Sequence, residues 1–291
     1  MGRELKKHIS ISDQIAKLQS RGLEFSDIEK ANAFLDSVNY YRFSGYLFDF
    51  KKDGEESYSD GLTFNAVSRI YRFDCRFTRI LMYVLEDIEE SFKTKFSYTL
   101  SSAYVDDPCI YLDKKIYRSM PKFLKFASLF ESAKTNNSEL PFIKHHNKYY
   151  NGQLPVWVAV EILTMGNLNS LYDNLIPSLQ KSIAKKYGTG TNQLISWLEN
   201  MTYTRNHLAH YMRVYNYNFG RTPAMCNNHK RFSPTGKIYD QIMAMSYMYS
   251  DAEDWNGYVI PEIERILYEF SDVIQLKGLG FPNNWKIELT K

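Results

Sequence analysis

The sequence predicts an all-α fold. Apolar residues recur at three- and four-residue spacing through most of the chain, and strand-like alternation is nowhere sustained. Residues that cap helices stand ahead of the main apolar runs.

Taken in order, Ser12 can cap a short first helix that stops at Gly22. Ser26 opens a second, DIEKANAFLDSV, with Ile28, Ala31, Phe34, Leu35 and Val38 on one face. Residues 51–61, KKDGEESYSDG, read as a polar loop. Thr63 caps the longest run, in which Val67, Ile70, Tyr71, Phe77, Leu81, Val84, Ile88, Phe92 and Phe96 mark a helix reaching Ala103, with room for a kink. Asp106 to Pro108 break it. A weaker helix follows near 121–133, then the polar turn KTNNSE. Pro155 begins a short apolar helix that Gly166 ends. On it Glu161 is expected to pair with a buried Arg or Tyr, because an unpaired buried carboxylate is costly. Helices over 176–187 and from 192 to about 213, a polar loop over 220–236, and helices near 237–250 and 259–275 complete the chain. The expected organisation is an N-terminal helical appendage (1–60) and a helical domain (61–291), which can also form one continuous domain.

With 291 residues the chain can bury a real core. Its net charge of +3 singles out no class of partner. The cysteines Cys75, Cys109 and Cys226 have no paired spacing, which argues against a disulfide framework and suits a reducing compartment. The opening MGRELKKHISISDQ lacks the apolar run of a signal peptide, and no stretch approaches the ~20 apolar residues of a membrane span. A soluble, cytoplasmic protein with no membrane partner is expected.

One stretch gathers unusual chemistry. TYTRNHLAHYMRVYN, ending at Asn216, holds two Arg, two His, two Asn and three Tyr. It lies in an interval, between Glu199 and Asp240, that has no acidic residue although the chain has 33. The interval carries Arg205, Arg213, Arg221, Lys230, Arg231 and Lys237, with His207, His210 and His229. Such a face can be merely solvated, or it can take a polyanion. The interleaved Tyr203, Tyr211, Tyr215 and Tyr217 could stack unpaired bases.

Within this stretch Asn206 and His210 fall one helical turn apart, and His210 and Arg213 share a face. Arg205 is five residues from His210, so the two converge only at a helix end, at a kink, or where two copies meet. The set suits RNA cleavage without a metal. A histidine moves the proton of the ribose 2′-OH, and an arginine stabilises the charge that develops on the phosphate. No cofactor is needed. A shared ion at His207 and His210, completed by His145 and His146, is the metal alternative, but no cysteine pair or HExxH supports it. Elsewhere, Tyr40-Tyr41-Arg42 with Ser44-Gly45-Tyr46 forms an aromatic-basic cluster. Arg69, Arg72, Arg76 and Arg79 make a basic stripe, either solvated or tracking RNA.

These residues resemble a known family. RNHLAHYMRVYN is similar to the motif of the bacterial Abi-like (abortive infection, Abi_2) proteins, with Arg205, Asn206, Ala209, His210, Arg213 and Asn216 at the matching places. LQSRGLEFSDIEKANAFLDSVNYYRFSGY resembles the family's opening block, and IYRFDCRFTRIL its Tyr-x-Phe-Asp helix. LPVWVAVEILTMGNLNSLYDNL and the closing GFPNNW also fit. Arg205-Asn206-x-x-x-His210 resembles the Arg-x4-6-His motif of HEPN ribonucleases. The chain departs from the Abi-like pattern at Tyr211, where a second His is frequent, at Leu208 (often Cys) and at Tyr215 (often Trp).

The resemblance implies a HEPN-type helical bundle, a homodimer that sets two motifs face to face, and an endoribonuclease acting in phage defence. His210 would be the general acid/base, Arg205 the transition-state stabiliser and Asn206 the orienting group. Arg213, Asn216, Tyr211 and, more weakly, His207 would lie on the RNA-binding side; Arg42 and Tyr41 of the 40–46 cluster either serve a helix end and core packing or hold the RNA as well. A catalytically silent module that holds a small structured RNA or a partner protein is the alternative.

Overall fold

The computed structural model describes residues 4–5, 7–224 and 233–291. Among them the fold is all-α, with only isolated bridges such as Lys51–Tyr58 in place of a sheet. Its axis is α4, Phe64–Ala103, 40 residues and about 60 Å long. The Thr63 hydroxyl accepts from Ala66 N–H at its start, as the sequence implies, and the helix runs without interruption. Phe73, Phe77, Val84, Ile88, Phe92, Phe96 and Leu100 are buried along it. One apolar stripe of that length can serve several partners. Accordingly α7 (Val156–Ala159), α9 (Pro177–Lys185), α10 (Thr191–Ala209), α11 (Ile238–Met248) and α13 (Ile260–Glu269) all pack on α4.

The N-terminal helices α1 (Ile11–Ser20), α2 (Ile28–Ser37) and α3 (Tyr40–Ser44) close over the start of α4. There Phe25, Phe34 and Phe43 surround the Phe64 ring at centroid distances of 5.0, 5.5 and 4.9 Å. Residues before and after position 61 share one buried core.

Several boundaries differ from the sequence expectation, each for a local reason. Ser10, not Ser12, caps α1, because Asp13 can bond back to it and complete a capping box. Asp27, not Ser26, caps α2. Helix α5 (Met120–Asn136) runs on through the polar Lys-Thr-Asn, and α6 (Pro141–Tyr149) was hidden because Ile143 is its one buried residue. Gly166 does not end the helix begun at Pro155. That helix stops at Ala159, and Gly166 lies in the first turn of α8 (Met165–Asn174), which a Thr164–Asn167 capping box starts. Glu161 falls in the intervening 3-10 turn, where it is exposed and needs no buried partner. A π-turn, Trp255–Val259, joins α12 (Ala252–Asp254) to α13, and α14 (Leu276–Leu279) and α15 (Trp285–Leu289) close the chain.

Gly278 in α14 touches the segment that carries the candidate motif. Its carbonyl accepts from Asn216 N–H at 3.0 Å. A Cβ there would lie 2.5 Å from Asn216 Oδ1 and 2.6 Å from Tyr215 Cε2. Gly278→Ala should therefore destabilise the protein by about 1–3 kcal/mol, read as a lowered urea midpoint. An unchanged midpoint would mean that the contact is not close in solution.

Candidate active site

The motif divides where α10 ends. Its last helical residue is Ala209, and His210 is the C-cap. The sequence expectation of a helix to about Arg213 is corrected here, and with it the shared helical face of His210 and Arg213. The chain turns because Tyr211 adopts a left-handed conformation, φ 56°. Tyr211 N–H then donates to the Leu208 carbonyl at 2.9 Å and Met212 N–H to the His207 carbonyl at 3.1 Å. This is the paired bonding of a Schellman turn, with a tyrosine where glycine is usual. Arg42 braces it: Nη1 donates to the Tyr211 carbonyl at 2.9 Å, and the guanidinium lies 5.5 Å from the Tyr211 ring centre.

Beyond the turn, residues 213–216 form a strap pulled inward by two carboxylates from distant parts of the sequence. Asp74, buried on α4, accepts Val214 N–H at 2.8 Å, Tyr215 N–H at 3.0 Å and the Tyr46 hydroxyl at 2.9 Å. Asp49 pairs with Arg213 Nη1 at 2.9 Å and accepts Asn216 Nδ2 at 3.1 Å. Arg213 Nη1 also donates to the Gly45 carbonyl. Lys237 Nζ donates to the Asn216 carbonyl, which supports its left-handed backbone, φ 57°. Arg213 and Asn216, read from the sequence as RNA-facing, are thus placed as tethers between the N-terminal segment and the C-terminal end of α10.

His207 is also placed inside. It is buried against Tyr203, Tyr217 and Phe219, and its Nε2–H donates to the Arg213 carbonyl at 2.8 Å. Burial pushes its pKa below the ordinary histidine range, and the bond to the carbonyl offsets this only in part. It cannot reach a substrate as folded. Of the four tyrosines expected to offer stacking faces, Tyr215 is buried with its hydroxyl accepting from Gln275 N–H, and Tyr203 and Tyr217 are half-buried. Only Tyr211 stands open, 70% exposed, with Tyr41 at 86% nearby on α3.

What remains outward is Arg205, Asn206 and His210. Arg205 Nη1 donates to Asn206 Oδ1 at 3.3 Å, and Asn206 lies one turn before the exposed His210. An arginine five residues from a histidine points well away from it on a regular helix. The bond ties the guanidinium to Asn206, which is on the helical face of His210. None of the three bonds to a carboxylate among the described residues. Nor do the described residues bring together any group of three or more His, Cys, Asp or Glu suited to a metal ion. His229, Lys230, Arg231 and Cys226 lie outside the described residues.

Asp74 and Asp49 are the residues the sequence analysis did not single out for the site. Asp74 had a signal: an aspartate on the apolar face of a long helix, between Ile70 and Phe77, must find partners inside. Asp49 had none.

The chain belongs to the family of Abi-like proteins (Abi_2), which matches residues 33–216. No curated protein and no solved structure matches it. The match takes in Tyr46, Asp49, Asp74 and the whole motif, and it ends at the last residue of the strap. Family membership points to a role in abortive infection. No helix among the described residues is long and apolar enough to cross a membrane.

Burial raises the Asp74 pKa from 3.8 to about 6, while the Val214, Tyr46 and Tyr215 donors and the Arg213 charge pull it down. A raised carboxylate favours the fold when protonated. Its contribution is present below about pH 4 and is lost as the pH rises through 6. Asp74→Asn should remove that slope from a urea series between pH 4 and 7. At pH 7 it should also cost about 1–3 kcal/mol, because one strap N–H loses its acceptor. A slope unchanged in the variant would show that Asp74 does not titrate in this window.

Proposed function

We propose that this protein is a HEPN-class endoribonuclease that cleaves RNA by 2′-OH attack without a metal ion, acting in abortive-infection defence against phage. The observation that carries this reading is the outward trio at the end of α10: Arg205 bonded to Asn206, an exposed His210 one turn on, and no carboxylate partner among the described residues. His210 takes the proton of the ribose 2′-OH as its oxygen attacks the adjacent phosphorus. The bond from phosphorus to the 5′ oxygen breaks, and an imidazolium returns a proton to that oxygen. Arg205 holds the non-bridging oxygens as their charge grows. Asn206, bonded to Arg205, orients the guanidinium.

Each chain offers one exposed motif histidine, whereas the reaction needs a base and an acid. A homodimer with two motifs across a two-fold axis supplies both. The exposed Tyr41 and Met212 near the motif give such a contact apolar surface. Arg42, already bound to the Tyr211 backbone, holds the rim in place. Arg213 contributes by fixing the turn that presents His210, since its own charge is matched by Asp49.

The test is cleavage of labelled single-stranded RNA in EDTA by the wild type and by His210→Ala, with analysis of the ends. The wild type should leave cyclic phosphate and 5′-OH ends, and His210→Ala should lose activity by at least about a hundredfold. His207→Ala should lose stability instead. Cleavage that survives His210→Ala, or that needs a divalent ion, would reject the mechanism.

A further inference from the structure

Two cavities lie on α4, and the first of them borders the motif at Tyr211 and Met212. The first, about 260 Å³, is walled by Arg42, Tyr46, Asp74, Thr78, Arg79 and Tyr211. The second, about 250 Å³, is walled by Arg76, Arg79, Tyr83, Tyr258, Glu262 and Arg265. Arg79 lines both, so the two adjoin along the helix, and together they are treated as one groove.

The charges in this groove do not cancel. Arg265 grips Glu262 through two bonds of 2.7 and 2.8 Å, and both Arg265 and Arg76 bond Glu269. Among the described residues no carboxylate pairs with Arg79, which is exposed. At one end of the groove the Tyr211 ring is open beside Arg42. At the other, the partly exposed rings of Tyr83 and Tyr258 meet edge to face at 5.4 Å. Asp254, which accepts from the hydroxyls of Tyr83 and Tyr249, stands at that end, where a phosphate chain would meet a negative charge and stop. From Cys75 to Tyr83 the helix rises about 12 Å, room for roughly three nucleotides stacked at about 3.4 Å.

Alternation of open aromatic rings with an unpaired guanidinium is the chemistry that holds an unpaired strand. Resting on the ribonuclease reading, we propose that this groove is a subsite for single-stranded RNA flanking the cleaved bond. Arg79 takes a phosphate, and a base seats against Tyr83 and Tyr258. The wider basic stripe is then not one surface. Arg69 and Arg76 are matched by Asp272 and Glu269. Arg72, exposed like Arg79, lines a different cavity with Phe25, Lys30 and Phe64.

That separation supplies the control. Binding of a labelled unstructured RNA is measured for full-length His210→Ala and for the same protein carrying Arg79→Ala, Tyr258→Ala or Arg72→Ala, with circular dichroism as the check on folding. Arg79→Ala should weaken binding roughly threefold to tenfold and lower the salt slope by about one. Tyr258→Ala should weaken it roughly fivefold or more. Arg72→Ala should leave it unchanged, and a fully paired RNA should bind poorly to all of them. In the catalytic background the same two losses should appear in kcat/KM on a long RNA and vanish on a dinucleotide. If Arg79→Ala and Tyr258→Ala bind and cleave like their parents, the subsite is rejected while the nuclease reading stands. If Arg72→Ala weakens binding as much as Arg79→Ala, a diffuse basic surface replaces the subsite. If the parent neither binds nor cleaves RNA, both proposals fall.

Discussion

The Asp74 carboxylate is the constraint from which the arrangement of the site follows. It is buried on the central helix and accepts three donors from two other parts of the chain. Two of those donors are backbone N–H groups of the strap, which would otherwise be buried without partners at a cost of about 1–3 kcal/mol each. The third is the Tyr46 hydroxyl, which ties in the N-terminal segment. One side chain therefore fixes the distance from α4 both to α3 and to the chain leaving α10. The turn at His210 can take only the shape that delivers Val214 and Tyr215 to that carboxylate. This accounts for a tyrosine being held in a left-handed conformation, a strain of roughly 1–2 kcal/mol. Bonds on both sides of Tyr211 determine its backbone.

The anchoring sorts the motif into two populations. His207, Arg213, Val214, Tyr215 and Asn216 face inward or are tethered, and their bonds build the turn. Arg205, Asn206, His210 and Tyr211 face outward, and among the described residues their side chains meet only each other, through the Arg205–Asn206 bond, and the brace from Arg42 to Tyr211. Groups that have found partners inside contribute to stability. Groups held in place without such partners are available for chemistry. The family match ends where the strap ends, so the shared pattern covers the turn-building residues together with the outward ones.

The all-α class and the long helix were legible because their signal is local and repeated. Seventeen buried residues of α4 mark its inner face, and its cap lies at the residue the pattern indicates. Helix α6 was not legible, since a helix with one buried residue has almost no periodic signal. The end of α10 is hidden for a different reason. The left-handed position that ends it is taken by Tyr211 rather than by a glycine, so the sequence carries no stop signal there. The candidates Arg205, Asn206 and His210 stand out by residue type and spacing alone. Which of their neighbours face inward does not, because that depends on Asp49 and Asp74, more than a hundred residues away in sequence.

The same two aspartates change the meaning of the acidic gap between Glu199 and Asp240. Along the chain it looks like a region from which carboxylates are excluded. In space the carboxylates of Asp49 and Asp74 reach its first part, and each is bonded: Asp49 to Arg213 and Asn216, Asp74 to backbone and hydroxyl donors. A phosphate approaching from outside would meet Arg205, Arg42 and Arg79 first. The gap in the sequence is thus a property of one face of the helix end. The strap needs the negative charge of Asp49 and Asp74 to fold, while Arg205, Asn206 and His210 stand without a carboxylate partner among the described residues.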